Sequence, residues 1–293
     1  MRRCRIESLG VSQPGRTLLR KGALTHALTA GRRCLKASHY HPNDVRVLIN
    51  TGVHRDGHVC EPAIAAYIQH HLKINVEFQG RRTLAFDLLN GACGMLNGMH
   101  LLTSLMQAQE IYAGMIISSE ANSDRRPDPG YRFPASGAAA LLDLSPKNDV
   151  GFGAFAFHTN ERQAELVTST VSLATKGGHL LWREQAGLEA AYLAGASPAV
   201  ASVLAKDDLR LDDIDLVIPA QISAQFLEQL PHTLGIAPER VLDLTATLPD
   251  THSTSVLLAL KQAQDAGRLP PKTKAVLIAF GSGVTVAAAT YHF

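Results

Sequence analysis

No stretch of the 293 residues approaches the ~20 consecutive apolar positions of a membrane span, so the sequence predicts no membrane association. It also lacks an excess of either charge. The 28 Lys+Arg stand against 26 Asp+Glu, a formal charge of +2, which gives no electrostatic reason to expect a nucleic-acid partner. Cysteine is scarce: Cys4, Cys34, Cys60 and Cys93 are too few and too scattered for a disulfide framework and read as free thiols. The opening MRRCRIESLG carries arginines with no apolar run behind them, which is not the pattern of a secretory signal, so a cytoplasmic location is expected. Charged residues make up only 18% while apolar residues reach 46%, a balance that excludes disorder and supports a large buried core.

What is present is a series of short, continuous apolar runs. VRVLIN (45–50), LAFDLL (84–89), GMIISS (114–119) and AAALLDL (138–144) occupy the first part of the chain. DLVIPA (215–220), RVLDLTA (240–246), KAVLIAF (274–280) and VTVAAATY (284–291) follow in the second. Runs of this length suit strands buried on both faces, with helices between them. After Cys93, the residues Met95, Leu96, Met99, Leu102, Leu105 and Met106 recur at helical steps. A second helix is expected over 253–266, with Ser253 or Thr254 at its start and Gly267 at its end. Both halves repeat strand, polar turn, apolar helix and closing strand. The chain therefore reads as an α/β protein of two duplicated halves, 1–150 and 151–293. The stretch 145–200 has a broken pattern and gives no clear element.

Three places could carry chemistry. In FDLLNGACGMLNG (86–98) an apolar strand ends just before Cys93, which precedes a helix opening at Gly94. A thiol there feels the positive end of the helix dipole, which lowers its pKa and suits a nucleophile. The competing reading is a small buried residue closing the turn. In LPDTHSTSVLLAL (248–260), Asp250 and His252 precede a helix, either as acid–base groups or as part of its cap. In AFGSGVT (279–285), the turn around Ser282 offers backbone N–H groups to an oxyanion, or is an ordinary hairpin turn. His54, His58 and Cys60 in GVHRDGHVCEP lack a distant paired cluster, so no metal site is expected and a polar loop is preferred. Arg32–Arg33, Arg81–Arg82 and Arg125–Arg126 read as solvated pairs.

These motifs together resemble the β-ketoacyl-ACP synthase III branch of the thiolase superfamily, most closely from 215 to 293. The resemblance implies a five-layered α/β/α/β/α fold, and it implies Cys93 as the acylated nucleophile, with Cys93 and Ser282 supplying backbone oxyanion contacts. It further implies an acyl-CoA or acyl-carrier-protein thioester as substrate, no permanently bound cofactor, and a homodimer, with a heteromer containing another ketosynthase as the alternative. Two catalytic positions depart from the family pattern. Its histidine falls at Ala220 and its asparagine at Asp250, and Gln225 stands where an arginine near the cofactor entrance is common. Alanine donates no hydrogen bond and an ionised aspartate repels an enolate, so malonyl decarboxylation is not expected. The leading expectation is acyl transfer from Cys93 to a heteroatom or an unusual carbon acceptor, with Asp250 and His252 assisting. The alternatives are a carbon–carbon bond-forming synthase with a rebuilt site and a catalytically silent partner of an active ketosynthase.

Overall fold

The computed structural model describes residues 2–13, 22–76, 82–174 and 178–293, so Arg81 of the second arginine pair lies outside the described residues. The first sheet contains β1 (Cys4–Ser12), β2 (Val47–Asn50), β3 (Leu84–Asp87), β4 (Ala113–Glu120) and β5 (Ser136–Leu144), in the order β1-β5-β4-β2-β3. The helices α1 (Ala23–Ala37), α2 (Ile64–Leu72) and α3 (Gly94–Gln107) belong to the same part of the chain. Then come β6 (Gly151–Thr159), a hairpin of β7 (Val167–Ser172) and β8 (His179–Glu184), and α4 (Leu188–Lys206). The chain ends with β9 (Leu216–Pro219), α5 (Ala224–Leu234), α6 (Ser255–Asp265), β10 (Lys274–Gly281) and β11 (Thr285–His292).

The second sheet runs β6-β11-β10-β9 and repeats the pairing senses of the first. In each, two antiparallel pairings are followed by a parallel one: β1–β5, β5–β4 and β4–β2 in the first, β6–β11, β11–β10 and β10–β9 in the second. The first sheet closes with the parallel β2–β3 pair. In the second, that place holds only a bridge between Val217 and Val241. The strand expected over 240–246 is thus reduced to this contact, because Asp243 accepts the N–H of Thr245 at 2.9 Å and turns the chain out of the sheet.

The layering follows from which faces are apolar. α3 packs on β4 and β5 from the first half and on β11 from the second, while α6 touches β1, β5, β9 and β10, so these two helices form the central layer. Accordingly α6 is buried continuously from Ser255 to Leu260, as a helix covered on both sides must be. α1 and α2 cover the outside of the first sheet, and α4 covers the second with α5 beside it. The result is the five-layered α/β/α/β/α arrangement. Among the described residues, α4 is the one helix long and apolar enough to cross a membrane, and half of it is buried inside the protein. The unreadable stretch 145–200 holds β6, the β7–β8 hairpin and the start of α4.

β1 lies so close to α1 that a Cβ on Gly10 would sit 2.1 Å from the Ala30 carbonyl oxygen and 2.3 Å from the Cys34 nitrogen. Helix backbone cannot yield as a side chain can. Gly10→Ala should therefore cost about 1–3 kcal/mol of stability or more, read as a lower urea midpoint with an unchanged m-value.

Candidate active site

The parallel strands β9 and β10 end at one cavity of about 310 Å³, which the turn after β3 also reaches. Such a position, beyond the carboxyl ends of parallel strands, is where α/β sheets bind ligands. Ala92 reaches it from the turn before α3, Ala220 from the end of β9, and Ser282 from the turn after β10. Asp250 and His252 enter from the loop before α6. Trp182 comes from the hairpin.

Cys93 does not face this cavity. Its thiol is fully buried, 3.3 Å from the Thr285 carbonyl oxygen and 3.5 Å from that of Ala279, and burial pushes its pKa up to about 12. Its backbone N–H donates to the Asn90 carbonyl at 3.0 Å, so that group is not offered to an oxyanion either. These findings correct the expectation of an activated, low-pKa thiol. The reason is angular: successive side chains at the start of a helix diverge by roughly 100°, and here Ala92 takes the cavity side while Cys93 takes the core. The closing-residue reading describes what Cys93 does. Gly91, at φ +50°, lets the turn pass close to the Gly-Ser-Gly loop, since a Cβ there would lie 2.8 Å from the Ser282 nitrogen. Ser282 itself is on the cavity wall.

Asp250 and His252 do come together. The Asp250 carboxylate accepts the His252 N–H at 2.8 Å, and this bond helps hold His252 at φ +55°, a left-handed conformation unusual for a bulky residue. The imidazole is then fixed by a group absent from the sequence reading. Its Nδ1 lies 3.3 Å from Oε1 of Glu120, the last residue of β4. Glu120 is fully buried and accepts from several donors: Val53 N–H at 3.1 Å, His54 N–H at 3.0 Å, His54 Nδ1 at 2.7 Å and the Ser253 hydroxyl. His54, expected in a polar loop, is buried instead, with Nε2 3.1 Å from the Ser169 hydroxyl. His58 goes elsewhere, to Asp124 at 2.8 Å, and Cys60 is exposed. The signal for Glu120 was a carboxylate closing the apolar run GMIIS, a position that requires partners once buried.

The electrostatics follow from this packing. Burial alone would raise the Glu120 carboxyl, but His54 and His252 override it and hold the pKa well below the usual carboxylate range. Burial opposes charge on His252, and Glu120 outweighs it, so its pKa is raised. For Asp250, burial outweighs the opposing pull of His252 and Arg132 and pushes the pKa up to about 6. The ligand atoms of His54, Glu120 and His252 lie within 4.8 Å of one another. However, the 2.7 Å His54–Glu120 contact is shorter than the roughly 3.3 Å expected between two ligands on a tetrahedral ion with ~2.0–2.1 Å bonds. The distances are those of a hydrogen-bonded cluster. With Nδ1 held by Glu120, Nε2 of His252 is the ring nitrogen with no protein partner among the described residues. An imidazole oriented by a carboxylate and open at its other nitrogen is an acid–base group.

Comparison with known proteins agrees with this fold. Residues 204–293 match the family described as 3-Oxoacyl-[acyl-carrier-protein (ACP)] synthase III C terminal. Over 283 residues the chain is 27% identical to a Beta-ketoacyl-[acyl-carrier-protein] synthase III of Rhizorhabdus wittichii, covering 92% of this chain and 83% of that one. The family match covers the C-terminal 90 residues, and the chain as a whole has the thiolase fold. The synthase III structure from Thermus thermophilus superposes with a TM-score of 0.84 at 22% identity, covering 99% of both chains. A variant of Xanthomonas campestris OleA with bound lauric acid and lauroyl-CoA superposes with a TM-score of 0.85 at 16% identity, again over 99% of both. Within this ketosynthase III frame the cysteine–histidine–asparagine set is replaced, and a His54–Glu120–His252 cluster stands beside the cavity.

The raised Asp250 pKa has a stability consequence. The folded protein holds this proton more tightly than the unfolded chain does, so the stabilisation is present below pH ~3.8 and lost as pH rises through about 6. Asp250→Asn should therefore raise the melting temperature at pH 7–8, by an amount equivalent to at most about 3 kcal/mol. Thermal scans across pH 4–8 should show that gain closing towards pH 4.

Proposed function

We propose that this thiolase-fold protein acts on an acyl group that stays on CoA or on an acyl carrier protein during the reaction, instead of passing through Cys93. The observation that carries the reading is the pairing of a buried Cys93 thiol with a carboxylate-oriented His252 on the cavity. His252 takes a proton from the acceptor and returns it to the departing thiolate, while Glu120 fixes the ring and stabilises its charged form. Asp250 holds the loop that presents His252. Thioester use is supported by the curated relatives, which are synthases named for an acyl carrier protein, and by the OleA variant, which holds lauroyl-CoA. Ala220 leaves no donor at the family's histidine position, and the Asp250 carboxylate disfavours an enolate, so malonyl decarboxylation has no support.

Mass spectrometry of the intact protein, together with turnover of a panel of acyl-CoA and acyl-carrier thioesters, tests it. His252→Ala should lower turnover at least ~100-fold, whereas Cys93→Ser should change it little, since only the first touches the cavity. Ala92→Cys should create an acylatable thiol that the native chain lacks. An acyl adduct on native Cys93, lost in Cys93→Ser together with activity, would overturn the reading.

A second reading, a catalytically silent subunit, is favoured by one observation: both Ala92 and Ala220 present methyl groups where a reacting side chain would stand. Under it, His252→Ala would still stimulate an active ketosynthase on mixing. Either reading fits a pairing through β3, whose outer edge has no strand partner among the described residues. Leu84 on that strand is 60% exposed and Leu89 just after it 56%. We propose a homodimer across this edge, in which each copy covers the other's exposed leucines. Light scattering should show a dimer at micromolar concentration and a monomer for Leu84→Asp.

A further inference from the structure

The cavity has an unusual charge inventory for a site beside an acyl thioester. Glu184, Glu189 and Asp250 all line it, against a single guanidinium, Arg132. That guanidinium is committed, with its Nη2 3.0 Å from Glu184 Oε2. Glu189 and Asp250 have no ion-pair partner among the described residues; the one bond Asp250 accepts comes from the His252 backbone. Neither carboxylate forms an ion pair in the cavity, although Asp250 feels the charges of His252 and Arg132 at longer range.

The walls around them are aromatic. Phe133, Trp182, Tyr192 and Phe280 line the same cavity. Phe133 and Trp182 pack edge to face at 4.9 Å, and Phe133 also lies 4.8 Å from the His252 ring. Ring faces attract a cation, most of all where water is excluded. A separate feature points to a ligand: His252, with only 7% of its side chain exposed, lines the cavity while its Nε2 has no protein partner. With Nδ1–H given to Glu120, that nitrogen carries a lone pair able to accept a proton.

We infer that the acceptor is a primary amine, entering as its ammonium ion between Asp250, Glu189 and the aromatic wall with an N–H directed at His252. An anionic acceptor would meet two carboxylates that form no ion pair, and an alcohol would leave both without a directly bonded counter-charge. The inference rests on the acid–base reading given above. In the reaction, the ammonium gives one proton to His252 Nε2, and the freed amine nitrogen attacks the thioester carbonyl. The C–N bond forms, the C–S bond breaks, and the thiolate of CoA or of the carrier takes the proton from the imidazolium. The products are an amide, a free thiol and the second proton lost by the nitrogen, which passes to solvent.

Isothermal titration of the full-length protein at pH 7.5 with hexylammonium, 1-hexanol and hexanoate, no thioester present, tests the ligand class. Hexylammonium should bind at least tenfold more tightly than hexanol, and hexanoate at least tenfold more weakly than hexanol. Asp250→Asn and Glu189→Gln should each weaken hexylammonium about tenfold while leaving hexanol unchanged, with circular dichroism confirming the fold of both. Equal or tighter binding of hexanol or hexanoate, or an ammonium preference that survives both substitutions, overturns the assignment. Failure here with turnover still dependent on His252 removes only the amine and leaves the acid–base reading standing. Ammonium selectivity as expected with His252→Ala fully active would instead overturn the acid–base reading and the deprotonation step that depends on it.

Discussion

Glu120 is a fully buried carboxylate, and the site is organised by the way its charge is satisfied. A buried charge of this kind is tolerated only when its lone pairs are filled. Its partners come from the loop after β2, through Val53 and His54, and from the segment before α6, through His252 and Ser253. The first belongs to the sheet of one half and the second to the other, so one side chain ties the halves together at the cavity. His54 extends the network to Ser169 on the hairpin strand β7. With so many donors on one carboxylate, the loop has little freedom to present another residue, and the positive φ of His252 is held in place.

The imperfect duplication is what makes room for chemistry. In the first sheet, β3 completes the parallel set and leads directly into the turn before α3. In the second, pairing stops after the Val217–Val241 bridge, and the chain then wanders through a segment that contributes Thr245, Pro249 and Asp250 to the cavity before reaching α6. Because that segment forms no β-ladder of its own, its side chains can be directed at a ligand. The same asymmetry brings an acidic residue to the position where the rest of the ketosynthase III pattern expects an amide.

Much of this was legible from residue order. Continuous apolar runs located β2, β4, β5, β9, β10 and β11, because strands covered on both faces leave no polar alternation. The helical repeat after Cys93 and the run VLLAL located the two central helices. The spacing of two between Asp250 and His252 left open whether they share a pocket, and the turn between them decides it. By contrast, β1, β6 and the hairpin carried glycine, mixed polarity or interrupted runs, and their pairing depends on partners distant in sequence.

Sequence by itself determined the duplicated α/β build, the superfamily motifs, the loss of the histidine at Ala220 and the change to Asp250, since these depend only on residue type and order. Tertiary structure decided which way Cys93 points, that Glu120 and His54 join His252, and that carboxylates and rings share one cavity. The physical reason is that orientation at a helix start changes by about a quarter turn with each residue, beyond what a motif can resolve. Glu120 lies 132 positions from His252, and only the stacking of two sheets on a shared helical layer brings such residues within hydrogen-bonding distance.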